Sequence, residues 1–138
     1  MFSILKINDP SSLQSTTLLR RVLNAHGGRS QEFVALVNGQ EAGILSYEDW
    51  CEKKFGFIYE IYVLPSFRRQ GVGEALLEYG EKYALQLGCN LVQIEPYALD
   101  QEPSTTQLID WYRRAGYQEV KEHARRWEKQ IFIKMSSV

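Results

Sequence analysis

The sequence predicts a mixed α/β fold: a central, mostly antiparallel sheet of about seven strands flanked by helices. Three observations carry this. Short apolar runs alternate or cluster as strands do. Other stretches repeat their apolar residues at helical spacing, and glycines close them at Gly27-Gly28, Gly88 and Gly116. The resulting order, β-α-β-β-β-α-β-α-β-β, has three strands in a row and so is no plain βαβ repeat.

The elements follow in turn. Phe2 to Ile7 alternates as a short first strand. Asp9-Pro10-Ser11-Ser12 opens a helix, since Asp and Ser cap free amides and Pro suits a first turn. Leu19, Val22, Leu23 and His26 mark its inner face. Phe33–Val37 and Ala42–Leu45 flank Asn38-Gly39, a strong hairpin signal. Glu48 to Lys54 reads as a polar loop holding Trp50, and the aromatic, β-branched run Phe57–Leu64 as a central strand. Pro65 stops it. A helix from Glu74 buries Leu76, Gly80, Tyr83, Ala84 and Leu87, and Leu91–Ile94 is a buried strand. Ser104 and Gln107 form a capping box for a helix carrying Leu108, Ile109, Trp111, Tyr112 and Ala115. Tyr117–Val120 and Gln130–Met135 close the chain as two strands.

At 138 residues the chain fits one domain, residues 1–138, with a core large enough to need no metal or disulfide staple. Sixteen Lys and Arg against 17 Asp and Glu leave a net charge of −1, which argues against a general nucleic-acid binder. No signal peptide and no apolar run of about 20 residues is visible, so a cytoplasmic protein with no membrane partner is expected. Cys51 and Cys89 lack a metal-binding or redox spacing and read as two reduced thiols. His26 and His123 stand apart, without metal-ligand spacing, so no metal is expected.

The sharpest chemical signal is Val63-Leu64-Pro65-Ser66-Phe67-Arg68-Arg69-Gln70-Gly71-Val72-Gly73, between a strand and a helix. Glycines let backbone approach an anion, and a helix start offers free N–H groups and a positive dipole end. Together they suit a diphosphate, and Arg68 and Arg69 add forked donors. A phosphate loop ending in Gly-Lys-Ser/Thr is absent. A dinucleotide fingerprint fails because Leu76 stands where its third glycine belongs, although Glu95 lies about 20 residues on, where that fold keeps its ribose-binding acid.

This loop resembles the pyrophosphate loop of the GNAT superfamily of N-acetyltransferases, Gln/Arg-x-x-Gly-x-Gly/Ala, with Arg68, Gly71 and Gly73 in its defined places. Trp111-Tyr112-Arg113-Arg114-Ala115-Gly116-Tyr117 resembles a second segment of that family, and the order of elements agrees. The resemblance implies a sheet splayed between strands 4 and 5, with acetyl-CoA as cosubstrate. It also implies a diphosphate held by residues 68–73, Gln70 and Val72 included, and an oxyanion met by backbone N–H near Tyr62 or Val63. Thr105 stands where many members keep an Asn near the pantetheine, and Arg114 is a further candidate for CoA phosphates, as it is for a solvated face.

Amine acetylation needs a neutral nucleophile and a proton for the departing thiolate. Glu60 is the candidate base. Strand alternation sets it with Ile58, Tyr62 and Leu64, opposite Phe57, Tyr59, Ile61 and Val63, and apolar neighbours suit a base working near neutral pH. An open strand end or an Arg partner are the plainer readings of the same residue. The resemblance makes Tyr112 the acid. A phenol (pKa near ~10) gives its proton to a thiolate (thiol near ~8.5) only when closely positioned. Tyr47, Trp50, Tyr59 and Tyr97 are candidate pocket walls, and Glu48, Asp49 and Glu95 candidate attractors of a cation. The expected partner is thus a small-molecule or peptide amine, the chain being a monomer or homodimer. A non-catalytic acetyl-CoA sensor and a nucleotide-binding oxidoreductase are the competing classes.

Overall fold

The computed structural model describes residues 2–97 and 103–132. Seven strands form one sheet: β1 (Phe2–Ile7), β2 (Ser30–Val37), β3 (Gln40–Trp50), β4 (Phe55–Val63), β5 (Leu91–Ile94), β6 (Gln118–Glu119) and β7 (Trp127–Gln130). Their spatial order is β1-β2-β3-β4-β5-β7-β6. Every neighbouring pair is antiparallel except β4–β5. Helices α1 (Thr16–Ala25), α2 (Val72–Gln86) and α3 (Thr105–Arg114) complete the predicted order. Among the described residues no helix is long and apolar enough to cross a membrane.

Two apolar clusters lie on opposite faces of the sheet. One joins Leu18 and Val22 of α1 to Ile7, Leu13, Val34 and Ile44. The larger joins Leu76, Leu77 and Ala84 of α2 and Tyr112 of α3 to Phe33, Leu45, Ile58 and Val92. The Asn38-Gly39 hairpin forms as expected, with positive φ at both residues (49° and 83°), which its two-residue turn requires. The Ser104 capping box is likewise present, Ser104 Oγ accepting from Gln107 N.

Several boundaries differ from the sequence reading. Asp9 caps only a short 3-10 turn (Pro10–Ser12), and α1 starts at Thr16 under Ser15, whose hydroxyl accepts from Leu18 N. Glu41 accepts the N–H groups of Gln14 and Ser15, so a partner from another strand decides the start. The expected polar loop at 48–54 is shorter, because β3 runs to Trp50 alongside Phe55–Phe57 and a 3-10 turn, Cys51–Lys53, makes the connection. The last strand is Trp127–Gln130, earlier than Gln130–Met135. Trp127 is buried against the core and Trp127–Gln130 pair with β5, whereas residues 133–135 lie outside the described chain.

The two thiols expected to be free are bonded: a disulfide joins Cys51, after β3, to Cys89, before β5. Both lie beside the residues where β4 and β5 begin their pairing, Phe55 and Leu91. Sequence spacing cannot reveal such a pair, since it arises only when the parallel strands bring their starts together.

Candidate active site

Strand β4 shapes the site through one irregularity. Ser46 pairs with Glu60 and Tyr47 with Ile58, which leaves Tyr59 as an extra, bulged residue. The bulge resets alternation. Ile58 therefore shares the α2 face with Ile61 and Val63, and Tyr62 and Leu64 join the α1 face. The predicted grouping of Ile58 with Glu60 is overturned, because an unbroken two-residue period does not survive a bulge.

Beyond the bulge the sheet opens. β5 pairs with Phe55–Ile58 and ends at Ile94, while β4 continues to Val63. Leu64 N–H donates to Ala42 O on β3. Counting back along the antiparallel ladder, Tyr62 bonds toward β3, whereas Ile61 and Val63 turn their backbone groups into the opening. Arg68 Nε donates to the Val63 carbonyl at 2.9 Å. Of the two candidate donors, Val63 turns its N–H toward the opening and Tyr62 turns its own toward β3.

The opening widens into a small cleft with Tyr59, Glu60, Ile61, Glu95, Tyr97 and Tyr112 among its walls. Tyr112, from α3, is buried edge-on against Trp111 and Tyr117. Burial, and next the Glu60 charge, push its phenol well above the ordinary tyrosine range, so it stays protonated. Glu60 is 7% exposed. Its surroundings are not purely apolar: Arg21 of α1 reaches it with Nη1 2.5 Å from Oε2, and the guanidinium lies 3.6 Å over the Tyr62 ring. Glu95 also has a cationic partner, since Arg126 donates to it through both Nε and Nη2. Arg126 further donates to Gln93 and sits over the Phe57 ring. Sequence reading missed Arg21 and Arg126. Both come from segments remote in sequence, and no motif marked them.

At the other end of the opening, α2 begins at Gly71, which adopts φ 86° and leaves the helix without a side-chain cap. Its first-turn N–H groups therefore face outward with dipole and glycine freedom intact. A Cβ at Gly73 would lie in ordinary contact with the Trp111 ring, at 3.4 Å, so α3 packs close to the helix mouth. Arg69 also takes positive φ, 65°. Gln70 leans back on Ser66 O at 3.4 Å. These features fit a diphosphate on Gly71, Val72 and Gly73, next to an open strand edge suited to amide pairing.

Other predicted site residues fall elsewhere. Tyr47 is fully buried core, edge-on to Tyr83 with its hydroxyl 3.7 Å from Cys89 Sγ. Gly56 leaves room for that hydroxyl. Tyr47 is therefore no pocket wall. Trp50 stacks on Phe55 beneath Arg29, four residues along β3 from Ser46, the partner of Glu60, and hence about 13 Å along the sheet. Glu48 and Asp49 share that distant end, accepting from Trp50 Nε1 and Cys51 N. Tyr59 and Tyr97 remain in the cleft as its exposed rim (44% and 52%). Thr105 opens α3 and Arg114 ends it, about 13 Å apart, so the two do not serve one group. Arg114 lines a groove with Glu74, Glu81 and Lys129 instead. Ligand atoms of Asp49, Cys51 and Cys89 lie within 4.8 Å of one another, but bonded sulfurs are not thiolate ligands.

Residues 3–117 match the acetyltransferase (GNAT) family. The chain is 29% identical over 104 residues to an uncharacterised N-acetyltransferase of Methanocaldococcus jannaschii, covering 72% of this chain and 43% of that protein. The curated relatives matched are matched over about two fifths of their length. In fold the chain is similar to a ribosomal-protein-S18-alanine N-acetyltransferase from Escherichia coli. That likeness has TM-score 0.71 and 18% identity, over 100% of this chain and 99% of the other. It is also similar to an IAA acetyltransferase from Bacillus cereus, with TM-score 0.72 and 17% identity over 95% and 100%. At such identities these two structures speak for the fold alone.

Proposed function

The chain belongs to the acetyltransferase (GNAT) family, and from that premise we propose that it moves an acetyl group from acetyl-CoA to a primary amine by direct attack. One observation carries the reading. Beyond Ile58 and Ile94 the sheet parts; Tyr112 and Glu60 border that opening with the strand edge at Ile61, and the uncapped start of α2 lies against Val63.

Gly71, Val72 and Gly73 hold the diphosphate through backbone N–H groups, with Arg68 and Arg69 close by. The backbone groups of Ile61 pair with a pantetheine amide, which removes the cost of leaving them unpaired in a closed site, while the Val63 carbonyl keeps its bond from Arg68. The acceptor, a small-molecule or peptide amine, enters past Tyr59 and Tyr97 toward Glu60. Its nitrogen lone pair forms the new C–N bond, and the carbonyl electrons move onto oxygen near the Val63 N–H. As they return, the C–S bond breaks and its electron pair goes to sulfur. Tyr112 gives sulfur a proton, and the proton shed by nitrogen, passing to Glu60 or water, balances it. Because the phenol is held protonated, it reaches this step loaded.

Thermal denaturation with acetyl-CoA tests binding, since saturation at about 100 times Kd stabilises by roughly 2.7 kcal/mol. An amine panel followed by free-thiol release tests turnover. No stabilisation and no amine-dependent thiol would end this reading.

A further inference from the structure

Beneath α1, three residues stand in one cross-strand row: Glu32 on β2, Ser46 on β3 and Glu60 on β4 pair directly in the sheet register. All three are buried. Glu32 accepts from Ser46 Oγ at 2.9 Å through one oxygen and meets His26 Nδ1 at 2.7 Å through the other. Glu60 meets Arg21. Each buried carboxylate of the row thus draws a partner from α1 or its C-cap, and only Glu60 also borders the cleft.

We propose that Arg21 is a positioning residue for the acetyl-transfer site: braced on the Tyr62 ring, its guanidinium holds Glu60 toward the cleft in its anionic form. This rests on the acyl-transfer reading of Glu60 given above. Arg21 and Glu60 side chains are 15% and 6% exposed, so solvent screens the pair little. For stability alone, an apolar pair of similar volume serves as well or better. A guanidinium retained here, flat on an aromatic ring, sets orientation and charge instead. Among the described residues, Arg21 is the cation in contact with Glu60. Tyr112 faces it from α3, Tyr59 adjoins it on β4, and Ser46 flanks it, with Glu32 and His26 beyond.

The test compares wild type with R21M, R21K and E60Q by carboxyl NMR titration of 13C-labelled glutamate, E60Q identifying the resonance, and by the pH profile of kcat. In R21M the Glu60 titration should move up by about 1–3 pH units, taking the acid limb of kcat with it. At neutral pH kcat should fall roughly tenfold while KM for acetyl-CoA stays within about twofold. R21K should restore the titration midpoint. An unchanged midpoint and acid limb in folded R21M would overturn the proposal. If R21M does not fold, R21K decides: it keeps the charge but not the flat stack, so kcat should drop at an unmoved midpoint, and wild-type kcat would overturn the positioning role. Absence of thiol release from wild type would instead remove the acyl-transfer reading, leaving the NMR titration to judge the Arg21 pairing by itself.

Discussion

At the residue scale, Tyr112 is the acid that the proposed reaction calls for. Burial and the Glu60 charge raise its pKa, which makes it a weaker acid but keeps its proton in place through the working range. Tyr112→Phe should lower kcat by about 10²–10⁴-fold and leave acetyl-CoA affinity nearly unchanged, measured by thiol release and by calorimetry. The sign of the shift also fixes the alkaline behaviour. A phenol titrating above its ordinary value causes no loss of rate below about pH 10, so kcat should show no alkaline decline before that point. That Tyr112 lies in the cleft was legible because a sequence motif carries it. Tyr47 and Trp50 were not: aromatic residues on strands look alike until the fold shows which face and which end of the sheet they occupy. Arg21 and Arg126 were invisible for a related reason, since each acts on a carboxylate more than 30 residues away in the chain.

At the scale of elements, the strand–glycine–helix unit was readable nearly whole. Its glycines, its arginines and the apolar face of α2 lie close together in sequence, so local physics fixes them. Gly71→Val should weaken CoA binding at least about tenfold, because it crowds the helix mouth and forces a β-branched residue to φ 86°, a strain of about 1–3 kcal/mol. Gly88→Val is the matched control: its φ is 94°, nothing lies within 4 Å, and CoA affinity should hold. Equal loss of affinity in both variants would show that strain, not the mouth, is responsible. The Tyr59 bulge, by contrast, left no trace in the composition of β4. It depends on how Ser46 and Tyr47 of the neighbouring strand meet that strand. Without it Glu60 would keep the company of Ile58 on the α2 face.

The whole molecule makes two statements about stability. The Cys51–Cys89 link closes a separation of 38 residues, and loop-closure entropy puts its contribution at about 4 kcal/mol. Reductant should lower the urea midpoint of wild type but not that of Cys51→Ala/Cys89→Ala, and equal midpoints with and without reductant would deny the link. Burial raises the pKa of Tyr47, Tyr112 and Tyr117 together. The unfolded chain therefore loses these protons first. Their contribution is full below about pH 10 and is lost as pH rises beyond it. Tyrosinate absorbance should appear in two steps, the second coinciding with unfolding; a single smooth titration of all tyrosines before unfolding would contradict the burial.

The sequence by itself determined the order of elements, the Asn38-Gly39 hairpin, the capping box at Ser104 and the anion-ready start of α2. Each rests on residues within a few positions of one another, where backbone conformation and periodicity act directly. Tertiary structure alone decided where α1 starts, which face Glu60 takes, that Cys51 meets Cys89, and that Arg21 and Arg126 reach the two cleft carboxylates. Those outcomes depend on register between strands and on docking of distant segments, and neither quantity is written in any local stretch of chain.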